Sequence, residues 1–226
     1  MCRRFFANFK DEDFLFFYFL KITHIHMNIV IINYGAGNIQ SIKFAIERLG
    51  FTATLSDEAS EIRSADKVIF PGVGEASSAM KKLKETGLDK LIPTLKQPVL
   101  GICLGMQLMC NHSEEGDTKG LGIFDVGVVR FQTRLSGQQE SVKIPQIQWN
   151  TIHNLKSALF NTIPDDSFIY MVHSFYAPVT VQTIATSNYG IEYSAALARD
   201  NFYGTQFHPE KSSSVGEQIL KNFLEL

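Results

Sequence analysis

Cys103 lies in Gly101-Ile102-Cys103-Leu104-Gly105, with a glycine two residues to either side. The apolar run Pro98-Val99-Leu100 leads into it, and the helix-compatible stretch Met106-Gln107-Leu108-Met109 follows. This G-x-nucleophile-x-G form is that of a nucleophile elbow, in which a strand turns sharply into a helix and exposes the residue at the turn. Small neighbours are needed there, because the backbone is strained and side chains would collide. The helix N-terminus beneath the sulfur favours thiolate over thiol, and the thiolate is the nucleophile. Cys110 has no glycine flanks. At helical rise it would sit about 10 Å along the axis from Cys103, too far for a disulfide, and it reads as a packing residue.

A cysteine nucleophile needs a base, and the base needs an orienting group. Gly204-Thr205-Gln206-Phe207-His208-Pro209-Glu210-Lys211-Ser212 offers both. On an extended segment His208 and Glu210 point the same way, and Pro209 stiffens that form. His208 then moves protons while Glu210 fixes its tautomer. Acyl transfer also needs donors for an oxyanion. The N–H of Leu104 follows the nucleophile directly, and the glycines of Phe70-Pro71-Gly72-Val73-Gly74 permit peptide orientations that other residues resist.

These residues require a scaffold that ends several strands at one edge. Residues 28–34 form a short β-branched run suited to a strand buried on both faces. Asn38 is placed to cap a helix carrying Ile39, Ile42, Ala45, Ile46 and Leu49 on one face, with Gly50 as its stop. Residues 51–55, 67–72 and 98–103 read as further strands, and 75–85 as a helix. This alternation predicts an α/β fold with a mostly parallel central sheet flanked by helices. The second half carries short strands with close turns, predicting antiparallel additions, and 213–225 closes the chain as a helix. One domain over 27–226 is the simplest organisation.

Composition narrows the function. The chain has 226 residues and a net charge of -2, so it carries no basic footprint for nucleic acid. Lys81-Lys82-Leu83-Lys84 reads as a solvated helix face. The three cysteines include no C-x-x-C, the six histidines form no H-E-x-x-H, and no metal or cofactor is expected. Free thiols suit a reducing compartment. Gly35 and Gly37, with Asp57 or Glu58 downstream, begin a dinucleotide fingerprint, but Gln40 stands where its third glycine belongs. Residues 1–26 are Phe-rich, and the apolar run 14–20 is far shorter than the ~20 residues of a membrane span. Acidic residues 11–13 interrupt any signal-peptide pattern, so this stretch reads as an extension from an upstream start, ahead of Met27, with a peripheral docking segment as the alternative.

Taken together, "PGVG", "GICLGMQ" and "GTQFHPEKS" resemble the class I, triad-type glutamine amidotransferases. "IINYGAGNIQSIKFAIERLG", "GICLGMQLMCNHSEEGD" and "YMVHSFY" resemble, more narrowly, the glutaminase subunits of imidazole glycerol phosphate synthase. The resemblance covers 27–226 and none of 1–26. It implies that Cys103 attacks the side-chain amide of L-glutamine, that His208 shuttles protons and that Glu210 orients it. Val73 and Leu104 would supply oxyanion N–H groups. Gln107 and Glu115 match positions holding the α-amino and carboxylate ends of glutamine, and the backbone at His173, Ser174 and Phe175 would line the pocket. Ammonia would pass to a (β/α)8-barrel cyclase subunit in a cytoplasmic heterodimer of histidine biosynthesis, with no membrane or nucleic-acid partner. One segment departs from the family pattern K-x-P-H-M-G-W-N. In "KIPQIQWN", residues 143–150, Gln146 replaces the His and Gln148 the Gly, on a stretch that faces the partner in this family. Other readings are a paralogous subunit feeding another synthase, as in surface-sugar amidination, a non-catalytic module on the same fold, and a plain thiol hydrolase. Glutaminases of chorismate chemistry carry His where this chain has Met106.

Overall fold

The computed structural model describes residues 27–35, 37–133 and 142–226. The extension read over 1–26 lies outside the described residues. Strand β1 (Ile29–Ile32), helix α1 (Ile39–Arg48), β2 (Ala53–Ser56), α2 (Ala59–Ser64), β3 (Lys67–Phe70) and α3 (Ala76–Thr86) follow one another as strand–helix units. A one-turn α4 (Leu88–Leu91) leads to β4 (Val99–Ile102) and α5 (Leu104–Met109). The rest is strand-rich: β5 (Cys110–Ser113), β6 (Thr118–Lys119), β7 (Phe124–Arg130), β8 (Gln146–Ile152), β9 (Ser167–His173), β10 (Phe175–Tyr176), β11 (Thr183–Asn188), β12 (Glu192–Arg199) and β13 (Phe202–Thr205). Helix α6 (Ser213–Leu224) closes the chain.

The main sheet has seven strands in the order β11-β12-β13-β4-β3-β1-β2. From β2 to β13 the pairing is parallel, and β12 and β11 add antiparallel strands at one edge. That is the expected α/β architecture. Strand β1 shows why an all-apolar run was needed. Val30 and Ile32 join one core cluster, while Ile29 and Ile31 join the other. Alternate residues of a strand leave on opposite faces, so a strand covered on both sides must be apolar throughout. Helices α1 and α6 cover one face through Ile42, Ala45, Ile46, Ile219, Leu220 and Phe223. Helices α2, α3 and α5 cover the other through Ile62, Ala79, Met80, Leu83 and Met106. Each fully buried aliphatic side chain contributes about 1.5–3 kcal/mol. A four-stranded sheet, β10-β7-β5-β6, and the β8–β9 hairpin pack beside this frame.

Two local expectations change, and one helix was not anticipated. Asn38 occupies the N-cap position of α1, but its side chain makes no cap bond among the described residues. Helix α2 carries a single buried side chain, Ile62, too little to register as a periodic face. Helix α5 has six residues, so Cys110 begins a strand instead of continuing a helix. Cys110 is fully buried, and burial pushes its thiol well above the ordinary range. It is free, as Cys103 is. Its packing role stands. The lysines of 81–84 lie on the exposed face of α3, with Leu83 alone turned inward.

Candidate active site

Cys103 follows the last residue of β4 and precedes α5, with φ 53 and ψ -110. Positive φ is strained for a side chain with a Cβ, and such strain concentrates where geometry serves chemistry. The flanking glycines are steric necessities. A Cβ at Gly105 would strike the carbonyl oxygen of Phe70 at the end of β3, and one at Gly101 would strike Met109 and sit 2.8 Å from the Met106 nitrogen. Backbone pins the turn on the other side, since Cys103 N–H donates to Thr205 O at 2.7 Å. Gly105→Ala is therefore expected to destabilise the fold by about 3 kcal/mol, through overpacking against backbone that cannot move aside. Urea unfolding would read this as a lower midpoint at unchanged slope; a variant as stable as the parent would refute the steric reading.

His208 is brought to the cysteine from β13. Its N–H donates to Tyr170 O of β9 at 3.1 Å, and its carbonyl accepts from Ser212 Oγ at 2.7 Å. Nδ1 of His208 lies 2.8 Å from Glu210 Oε1, with both side chains buried. The expected pairing holds, on a different backbone. Pro209–Lys211 is a turn of 3-10 helix, with Pro209 at its first positions, so the pair is not set by strand alternation. Burial disfavours the imidazolium, but the sulfur of Cys103 and the carboxylate of Glu210 more than offset it, and His208 is pushed up to about 10. The charged imidazole is thus favoured beside the sulfur. The six-residue α5 is a short dipole, so His208 is the stronger partner for the sulfur.

A cavity of about 260 Å³ opens over this pair. Val73, Leu104, Gln107, Glu115, His173, Ser174 and Phe175 all line it, together with Cys103 and His208. The structure thus gathers every candidate read from the sequence except Glu210, which stands behind His208. Gln107 Nε2 donates to Phe175 O at 3.0 Å and to Gln206 Oε1 at 2.9 Å, so both its amide hydrogens are committed within the protein. What Gln107 offers a ligand is its carbonyl oxygen, an acceptor. Glu115 Oε2 accepts from Ala76 N–H at 2.8 Å, and burial raises its carboxyl above the usual carboxylate value. His173 is buried and held neutral, lowered to about 4, because burial opposes its charge and His208 repels it.

The sequence reading missed Gln206, whose Nε2 lies 3.8 Å from Cys103 Sγ. Its spacing of two from His208 was the available signal. It also missed Val172, whose carbonyl lies 3.7 Å from Sγ, and Tyr34, whose hydroxyl donates to Pro71 O at 2.9 Å beneath the Gly72-Val73 segment. Nothing in their spacing marks either. Gly35 serves the protein itself, since its carbonyl oxygen accepts from Lys82 Nζ at 2.8 Å. Gln146 is fully buried on the inner side of the β8–β9 hairpin, so only Gln148 of the two departures from the family pattern is exposed. Among the described residues, no group of His, Cys, Asp or Glu is arranged to hold a metal, and no helix is long and apolar enough to cross a membrane.

Residues 30–226 match the glutamine amidotransferase class-I family. The chain belongs to that family. Imidazole glycerol phosphate synthase subunit HisH of Bacteroides fragilis (strain YCH46) is 54% identical over 200 residues, covering 88% of this chain and 100% of the relative. The HisH subunit of Vibrio cholerae is 47% identical over 201 residues, covering 88% and 98%. The chain is a HisH-type amidotransferase, as its motifs led one to expect. Among solved structures, one titled glutamine amidotransferase superposes with a TM-score of 0.65 at 17% identity, covering 87% of this chain and 97% of that one. PurLQS from Thermotoga maritima superposes with 0.64 at 16%, covering 88% and 98%. These likenesses are of fold, and they agree with the parallel sheet and its antiparallel edge.

Proposed function

We propose that this amidotransferase hydrolyses L-glutamine through Cys103, His208 and Glu210 and delivers the ammonia to a cyclase partner in imidazole glycerol phosphate synthesis, within histidine biosynthesis. The observation that carries the reading is the convergence of a strained elbow cysteine and a buried His–Glu pair on one cavity lined by Gln107 and Glu115.

In this reading Cys103 Sγ attacks the side-chain amide carbon of glutamine, and the carbonyl electron pair moves onto oxygen. Leu104 N–H and Val73 N–H receive that charge. Val73 lies between Gly72 and Gly74, the latter at φ +96, and its peptide rotates to aim its N–H at the oxyanion. His208 gives its proton to the amide nitrogen, the C–N bond breaks and ammonia leaves, with a thioester left on Cys103. His208 then takes a proton from water as its oxygen attacks the thioester, and glutamate departs with the thiolate restored. Glu210 keeps Nδ1–H oriented, so that Nε2 does the proton transfer. The free oxygen of Glu115 and the carbonyl of Gln107 suit the α-ammonium of glutamine, which needs acceptors.

Two features support a docked partner. Ile147, Trp149 and Phe168 lie on one face of the β8–β9 hairpin and are 58%, 47% and 60% exposed. That face adjoins the cavity, since Pro145 and Val172 of the same hairpin line it. Ammonia freed into water is diluted and protonated, so a sealed path to an acceptor is chemically useful. We place the pair in the cytoplasm as a heterodimer, with no resident cofactor.

An electrophilic glutamine analogue, 6-diazo-5-oxo-norleucine, tests the nucleophile directly. One equivalent is expected to be incorporated, with loss of N2, on the peptide containing Cys103, and glutamine should protect. Label on Cys110 or elsewhere would contradict the assignment.

A further inference from the structure

Behind the cavity, a set of buried polar groups runs from strand β8 to the pocket wall, and the catalytic reading leaves it unused. Gln146 Oε1 lies 3.0 Å from Tyr193 OH, which lies 3.4 Å from His173 Nε2. His173 Nδ1 lies 2.8 Å from Phe175 O, the carbonyl that also accepts from Gln107. Gln146 and Tyr193 are fully buried, and Gln146 Nε2 has no hydrogen-bond partner among the described residues.

The donors and acceptors fix the direction of this chain. His173 is neutral and so carries one ring proton. Phe175 O can only accept, so that proton is on Nδ1, and Nε2 must accept. Its neighbour is the Tyr193 hydroxyl, which has a single proton. With Gln146 Oε1 facing the tyrosine, two acceptors share one proton, and a buried N–H₂ group is left idle. Turning the amide over lets Nε2 donate to Tyr193 and frees Tyr193 to donate to His173, and it leaves the amide oxygen, not the N–H₂ group, in the unpartnered place. Amide orientation is properly assigned from partners in this way. Aromatic rings seal the chain from water: Phe131 lies 5.3 Å from His173 and 4.4 Å from Tyr176, and Tyr176 lies 5.8 Å from Tyr193.

We propose that Gln146, Tyr193 and His173 form a directed hydrogen-bond relay, from Gln146 N–H through Tyr193 O–H and His173 to Phe175 O, which positions the 173–175 wall of the glutamine pocket from strand β8. Gln146 and Tyr193 are positioning residues, and neither lines the cavity. The relay makes sense of Gln146 as a polar residue at a fully buried place. It also ties the pocket wall to the strand whose outer face carries Ile147 and Trp149, so that a load on that face is felt at the substrate. The inference rests on the glutaminase reading for its kinetic arm only.

The test compares Gln146→Leu, Tyr193→Phe, their double variant and Gln146→His, each with the synthase partner present. Both single variants are expected to raise KM for glutamine about tenfold with kcat within about threefold, as loss of a buried hydrogen bond implies. The double variant should match the singles, because one chain is cut twice. Gln146→His keeps an N–H donor and should recover most of the loss. Nitrogen-15 NMR of labelled histidine gives the second arm. The His173 signals should show Nδ1–H with a hydrogen-bonded Nε2, and that bond should be lost in Tyr193→Phe but kept, in weakened form, in Gln146→Leu. Unchanged KM in both singles, multiplicative effects in the double, or an Nε2–H tautomer in the parent would each overturn the relay. A parent chain without glutaminase activity would instead count against the proposed function, and the NMR arm would still decide the relay.

Discussion

Cys103→Ala is expected to lower glutamine hydrolysis by at least about 10⁴-fold while leaving the fold intact. The size follows from covalent chemistry: without Sγ there is no thioester, and His208 alone must activate water against an unactivated amide. The intact fold follows from the structure. Alanine fits wherever Cys103 fits, and the backbone bond from residue 103 to Thr205 O is kept. The strain of φ 53 remains, since alanine also carries a Cβ. Loss of the sulfur should also lower the His208 pKa from about 10, because Cys103 is one of the groups that raise it. Ammonia release within tenfold of the parent would rule out Cys103 as the nucleophile.

Glu210→Gln should cost about 10²–10⁴-fold in kcat, with a smaller change in KM. A glutamine oxygen can still accept from Nδ1 of His208, but it brings no charge to hold the imidazolium. Burial then weighs more heavily, the His208 pKa falls below its parent value of about 10, and the alkaline limb of the activity profile moves to lower pH. The same sign governs stability. The folded-state pKa lies above the ordinary 6.5 of histidine, so the ion pair's contribution is fully present below that pH. It is lost as pH rises toward 10. There is a second cost. Oε2 of Glu210 is buried with no hydrogen-bond partner among the described residues, and the variant can place an amide N–H₂ there. An idle buried donor costs about 1–3 kcal/mol. A pH–rate profile that keeps its alkaline limb would contradict the role given to Glu210.

The parallel half of the fold was legible because its strands are buried on both faces. "NIVIINY" and "KVIFPG" have few readings other than central strands, and α1 and α3 show their apolar faces at helical spacing. The elbow was legible for a related reason: Gly101 and Gly105 mark places where a Cβ meets neighbouring chain atoms, and such places stand out in a sequence. The short pieces were not legible. Strand β5 reads Cys-Asn-His-Ser and buries a serine at its end, so hydrophobic alternation gives no sign of it. The His208–Glu210 pair was found on the wrong backbone, since spacing of two fits both a strand and the observed turn. The relay was beyond sequence reasoning. Gln146 and Tyr193 are 47 residues apart and meet only when the hairpin packs on the sheet edge.

The central claim is that this chain is a glutaminase whose ammonia is meant for a docked synthase. Ammonia release from glutamine should be followed in the purified chain alone, then with the cyclase subunit of the same organism and its ribonucleotide ligand, with Cys103→Ala as control. Activity that is low alone, rises at least about 100-fold with partner and ligand, and vanishes in Cys103→Ala is the predicted result. Equal activity with and without the cyclase, or activity that survives Cys103→Ala, would contradict it.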